Sequence, residues 1–205
     1  MKKLIYILAA LLLTVSIALA DGIQETNAVT VSLDGNPTTG YVWTGFVLGG
    51  ESVLLTDPAG TYVPDDAPEG LSGVGGKTYF TLLPAAPGES IVTFTYARSW
   101  EPDFLEQRVL LANVDDDMKL TVSDVTESGV ITGTVISVDT EDCSAMLMTE
   151  THGELIVRFA PETQLPAENE TITVYTNGVM TMSLPAIVNA IAWSSVPSDM
   201  ARTAE

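Results

Sequence analysis

Val92-Thr93-Phe94-Thr95-Tyr96 alternates large apolar residues with threonines over five positions. A period of two puts Val92, Phe94 and Tyr96 on one face of an extended strand and both threonines on the other. That is the pattern of a half-buried strand in an antiparallel sheet. Working outward, the rest of the chain reads the same way. Val29, Val31 and Leu33 alternate with Thr30 and Ser32, and short apolar runs at 41–48, 51–55, 78–83 and 104–113 are bounded by Gly, Pro, Asn or Asp. The stretch 62–76 is dense in turn residues and reads as a long loop. Beyond Asp115-Asp116-Asp117, Leu120-Thr121-Val122 opens a second series that continues at 130–138, 144–149, 154–159 and 171–175. Asn177-Gly178, between 171–175 and 179–182, predicts a two-residue hairpin, because both turn positions favour positive φ. Pro185 followed by 186–192 predicts one or two helical turns. The expectation is an all-β chain in two parts whose boundary falls between 115 and 126: residues 21–123 and residues 124–205.

Ahead of these lies Met1-Lys2-Lys3, the apolar run 4–19 and Ala18-Leu19-Ala20 before the first acid, Asp21. A basic start, a short apolar core and a small-residue exit are the three parts of a secretory signal peptide, so residues 1–20 are expected to be removed and the protein to be exported. The alternative, a membrane anchor, is disfavoured by a run shorter than the roughly 20 residues a span needs. Loss of Lys2 and Lys3 leaves six basic residues against 27 acidic ones, a formal charge of −21. A surface of that sign repels phosphate backbones and anionic lipid, which argues against nucleic-acid and membrane partners. The single cysteine, Cys143, rules out an intramolecular disulfide, and a buried thiol acting as a small apolar residue is expected. His152 is the chain's only histidine, no G-x-S-x-G elbow is present, and ligands for zinc are too few, so no catalytic residue, metal or cofactor is expected. Asp115 to Asp117 reads as a solvated linker in preference to a calcium site.

Three segments remain. Asn36-Pro37-Thr38-Thr39-Gly40-Tyr41-Val42-Trp43 sits between two strands, with Pro37 fixing its own φ and Gly40 free to take a conformation closed to other residues. Its tip presents two small hydroxyl residues, and Tyr41 and Trp43, two apart, anchor its base. Leu71-Ser72-Gly73-Val74-Gly75-Gly76 packs three glycines into four positions, which lets backbone approach another surface closely, and nothing after it matches a phosphate cradle. Arg98-Ser99-Trp100 follows a strand end and couples a cation to an indole, residue types enriched in interface hot spots. Taken singly, each also fits an ordinary turn.

In this order and spacing the three segments resemble the chagasin family of cysteine protease inhibitors over about residues 28–123. The resemblance implies an immunoglobulin-like β-sandwich and a papain-like cysteine protease as partner, bound by a monomer through three loops side by side in the active-site cleft. Asn36, Pro37, Thr38, Thr39, Gly40, Tyr41, Trp43, Gly73, Gly75, Gly76, Arg98 and Trp100 are the residues it implies for binding, with the Thr38-Thr39 tip over the catalytic cysteine. Ser99 stands where the family has proline, which implies a less rigid third loop, and the region before Asn36 is short enough to lack an edge strand. Residues 124–205 read as a small β-barrel-like domain. Its runs 133–138 and 154–159 resemble the opening strands of an OB-type barrel, with the Pro185 segment as its helix, and Tyr175 and Trp193 in its core. The alternative function is an exported adhesion module that keeps the scaffold without inhibiting a protease.

Overall fold

Alternation along the chain becomes strand after strand in the computed structural model, which describes residues 27–66 and 73–195. The expected leader 1–20, its expected exit at Asp21, Leu71 and Ser72 lie outside the described residues. The first strands are β1 (Val29–Gly35), β2 (Val42–Gly49), β3 (Val53–Leu55), β4 (Thr61–Pro64), β5 (Gly76–Pro84), β6 (Gly88–Ala97), β7 (Phe104–Val114) and β8 (Leu120–Asp124). They form two sheets. In one, β5 is flanked by β1 on one edge and by β3 and β4 in succession on the other; the second runs β2-β6-β7-β8. Strand β4 was hidden in the turn-rich stretch, since only Tyr62 and Val63 are apolar and it ends on Pro64, a residue tolerated at strand ends and edges.

The sheets close over one core. Phe94 of β6 meets Phe80 of β5 with ring centroids 4.6 Å apart. Trp43, Val92, Leu110, Ala112, Val114 and Leu120 from one sheet pack against Val53 and Leu82 from the other. Each large side chain so buried contributes about 1.5–3 kcal/mol. Asp115 to Asp117 is the turn of the β7–β8 hairpin: the Asp115 carboxylate accepts the amides of Asp117 and Lys119, at 3.0 and 2.9 Å. Asp115 is thus a side-chain cap on a tight turn, and the segment expected as a linker is a hairpin turn within the first part. The chain leaves β8 through Val125–Gly129, closed by the Gly129 amide on the Val125 carbonyl at 2.7 Å.

Leu120-Thr121-Val122, expected to open the second series, instead lies in β8 and pairs with β7. The second series comprises β9 (Val130–Asp139), β10 (Ser144–Thr149), β11 (Gly153–Arg158), β12 (Thr171–Tyr175), β13 (Ala186–Asn189) and β14 (Ala192–Ser195), in the order β13-β11-β10-β9-β12-β14. The two ends of that order are consecutive in sequence, separated by Ala190 and Ile191. A single broken strand therefore runs parallel to β11 in its first half and antiparallel to β12 in its second, and the sheet closes into a five-stranded barrel. The helix expected at 186–192 is thus a broken strand: Ile187, Val188 and Ile191 are β-branched, and burying Val188 in the barrel core outweighs the Pro185 signal. Nor does Asn177-Gly178 make a hairpin. Both edges of β12 are taken, by β9 and β14, so no edge is left for 179–182. Trp193 is half-buried with its N–H donated to the Gln164 carbonyl at 3.0 Å.

Cys143, expected to be buried, is half-exposed in the β9–β10 turn at φ 48°. His152 lies at the opposite end of β10. Six strand residues separate them, about 20 Å, so the two do not form a catalytic pair.

Ile91, Val109 and Leu111, on the face of the β2-β6-β7-β8 sheet away from the sandwich core, pack with Val125, Tyr175, Val130, Ile191 and Ala192. The barrel therefore covers this sheet from outside, which is why Ile91, Val92, Thr93 and Phe94 of β6 are buried consecutively. It does so near the start of β6, away from the β6–β7 turn.

Candidate functional site

Strand register places the three singled-out segments at one end. Gly35, Gly76 and Pro64 are paired across one sheet, and Val42, Ala97 and Phe104 across the other. Loop 1 (36–41), loop 2 (65–75) and loop 3 (98–103) connect strands whose ends are therefore flush.

Loop 1 is a turn closed on itself. Asn36 is extended, at φ −141°, and its Oδ1 accepts the Thr38 amide at 3.1 Å and the Thr38 hydroxyl at 2.6 Å. Pro37 to Thr39 form one 3₁₀ turn, with the Thr39 amide on the Asn36 carbonyl and the Gly40 amide on the Pro37 carbonyl, at 3.1 and 3.0 Å. The Thr39 hydroxyl also donates to the Asn36 carbonyl, at 2.6 Å. Gly40 ends the turn at φ 88°, the left-handed conformation that disfavours a Cβ. Thr38 and Thr39 are exposed at the tip with their hydrogen-bond donors already used.

The neighbouring loops are tied to this turn. Asn36 Nδ2 donates to the Gly73 carbonyl of loop 2 at 2.8 Å. Loop 2 is held at its base by the Asp65 amide on the Gly75 carbonyl, 2.9 Å. From loop 3, Arg98 donates through Nε and Nη2 to the Thr39 carbonyl at 3.1 and 2.9 Å. The same guanidinium lies 4.2 Å from the Tyr41 ring centroid and pairs with Glu101 at 2.8 Å. Tyr41 in turn donates its hydroxyl to Glu101 at 3.2 Å. The hydrogen bond from Arg98, followed by that from Tyr41, holds the Glu101 carboxyl below its ordinary range, and the same pairing raises Arg98. The turn of loop 3 is closed by the Glu101 amide on the Arg98 carbonyl at 3.2 Å, with Ser99 exposed inside it. Trp100 stands 68% exposed beside Gly40.

Beneath loop 1 sits Tyr96. Its ring stacks on Trp43 at 4.9 Å and meets the Tyr41 ring at a tilt with centroids 5.4 Å apart, and its hydroxyl accepts the Asn36 amide at 2.7 Å. Trp43 is buried and donates its N–H to the Asp34 carbonyl at 2.8 Å. Trp43 and Gly76, both buried, support the loops from below and touch nothing outside, whereas Thr38, Thr39, Gly73 and Trp100 are presented outward. Sequence reasoning missed Tyr96 and Glu101 as parts of this assembly. The available signals were a tyrosine on the core face at a strand end, whose hydroxyl needs a partner, and an acid three residues after Arg98.

Comparison with known proteins bears on these loops. Residues 23–114 match the family model described as chagasin family peptidase inhibitor I42. Amoebiasin-1 of Entamoeba histolytica is 34% identical over 73 residues, which cover 36% of this chain and 67% of that protein. Among solved structures, a cysteine protease inhibitor from Entamoeba histolytica aligns over 40% of this chain and 73% of its own at 24% identity and a TM-score of 0.34. The structure of amebosin aligns over 43% of this chain and 78% of its own at 33% identity and a TM-score of 0.32. The family match spans all three loops and stops before the barrel.

Proposed function

Because the chain belongs to the chagasin family of peptidase inhibitors, we propose that it is a reversible, non-covalent inhibitor of papain-like cysteine proteases whose three loops occupy the active-site cleft. The observation that carries this reading is the cross-bracing of the loops, Asn36 to Gly73 on one side and Arg98 to Thr39 on the other. An inhibitor of this kind needs no reactive group. It needs a surface already shaped for the cleft, so that little freedom is lost on docking.

Loop 1 also resists becoming a substrate. Cleavage requires a peptide drawn out so that its carbonyl lies in line with the nucleophile. The Pro37–Thr39 turn would have to give up its internal bonds to Asn36 and Pro37 first. Gly73 and Gly75 let loop 2 lie against the cleft wall, and exposed Trp100 is the apolar anchor, the type of residue that dominates interface energies. Arg98 acts within the inhibitor: its donors serve Thr39 and Glu101, so it positions loops 1 and 3 and compensates for the absence of proline at Ser99. Interfaces of this class bury about 1,600 Å² in total. In this reading the protein is not an enzyme, acts as a monomer, and is exported by its leader.

The test is titration of the chain from Asp21 onward into papain and a cathepsin L-like enzyme, following hydrolysis of a small peptide substrate. Stoichiometric loss of activity is expected, and it should vanish in a Thr38→Ala, Thr39→Ala, Trp100→Ala variant that remains folded. A folded wild-type chain that leaves both enzymes active at micromolar excess would sink the proposal and leave the adhesion module as the reading to pursue.

A further inference from the structure

The outer face of the β2-β6-β7-β8 sheet is apolar at both ends and covered at one. Paired residues share a face in an antiparallel sheet, so the register assigns whole rows to it. Ile91 and Leu111 form the row under the barrel, and Val109, Thr93 and the exposed Phe46 form the next. Toward the loops comes a polar row, Thr44, Thr95 and Gln107. Then, at the very end, the face turns apolar again with Val42, Ala97 and Phe104. Phe104 is 54% exposed and Val42 46% exposed, and Leu105, inserted by the bulge after Phe104, is 64% exposed. The polar row separates this patch from the barrel contact, so it is not the fringe of that contact.

Resting on the inhibitor reading, we propose that the protease-binding surface continues past loop 3 onto this patch. Val42, Phe104 and Leu105 form an apolar apron that packs against the wall of the protease beside its cleft. Continuity selects this occupant. Loop 3 runs from Ala97 to Phe104, so Trp100 projects from the connection between two residues of the apron's own row. Phe104 and Leu105 begin the strand beside the one that loop 3 leaves, and neighbouring strands lie about 5 Å apart. Exposed apolar residues grouped at the rim of a binding end mark an interaction surface, whereas single ones do not. The edge strand β2 contributes Val42, which extends the apron toward loop 1.

The experiment compares the full chain with a Phe104→Thr, Leu105→Thr variant. Both sites are exposed and threonine suits strands, so folding is preserved. The control is Val179→Ser, Met182→Ser, which removes apolar side chains more exposed than Phe104 and Leu105 from a barrel loop. Inhibition of papain is read from slow-binding progress curves, and association state from sedimentation. The apron predicts an inhibition constant raised about tenfold or more, mainly through faster dissociation, with the control unchanged. Wild-type inhibition by the Phe104→Thr, Leu105→Thr variant overturns the apron while leaving the loops as inhibitor. Conversion of a wild-type dimer to a monomer with inhibition intact overturns it in favour of a second copy of this chain as occupant. A wild-type chain that inhibits nothing takes down the parent reading, and the apron with it.

Discussion

Tyr96→Phe removes one atom from beneath loop 1 and tests whether the loop is held or merely present. The hydroxyl accepts the Asn36 amide at 2.7 Å, while the ring stacks on Trp43 and leans against Tyr41. Phenylalanine keeps the stacking and orphans one partly buried N–H. Losing the bond costs about 0.5–1.5 kcal/mol, and a donor left unsatisfied costs about 1–3 kcal/mol. With water partly admitted, about 1.5 kcal/mol is expected, which lowers Tm by about 3–6 °C for a chain of this size. The same bond orients the first residue of the loop, so its loss depletes the docking-competent shape. Affinity falls in proportion to that population, and about 1.4 kcal/mol corresponds to tenfold, so the inhibition constant should rise by up to about tenfold. The assay pairs thermal unfolding with progress-curve inhibition of papain on the same preparation. An unchanged Tm would refute the claim that this bond stabilises the fold. A lowered Tm with unchanged inhibition would refute the claim that Tyr96 shapes the docking surface.

Two further outcomes follow from the loop geometry. Gly40→Ala forces a side chain onto a φ of 88° and sets its Cβ 2.7 Å from the Trp100 ring, so it should cost about 1–2 kcal/mol of stability and also displace the indole. In a double-mutant cycle with Trp100→Ala, the effect of Gly40→Ala on inhibition should shrink markedly; additive effects would refute the contact. The Glu101 carboxyl is held below its ordinary value of 4.5, chiefly by the Arg98 hydrogen bond. A depressed folded value means the pairing contributes fully above the ordinary carboxylate range and is lost as pH falls through the lower folded value. The protection factors of the loop 1 amides, exchange rates corrected for the intrinsic pH dependence, should therefore be insensitive to this group above that range and fall on acidification through the lowered value. In Glu101→Gln that acid step should be absent, and its persistence would assign the step to another group.

What could be read from the chain depended on the range of the interactions involved. Alternation in 92–96 and the loop 36–43 are local, and each carries its conformation in adjacent residues: Asn36 caps its own turn, Pro37 starts it and Gly40 ends it. Both were legible for that reason. The segment 186–192 was not, because its small and β-branched residues suit a helical turn or a strand, and only the open edges of β11 and β12 decide between them. Arg98 shows the same limit at the site. As a lone cation beside a tryptophan it reads as a residue aimed at a partner, yet the carbonyl it binds, on Thr39, lies 59 residues earlier. Nothing near Arg98 announces that contact. The register that brings Ala97 beside Val42 makes it possible, and that register is set by alternation along β2 and β6. The short-range pattern thus places the loop ends, and the long-range bonds then convert three turns, each unremarkable alone, into one braced surface. Losing a brace should therefore impair binding more than losing any single exposed hydroxyl, since Thr38 and Thr39 already direct their hydroxyl hydrogens back to Asn36.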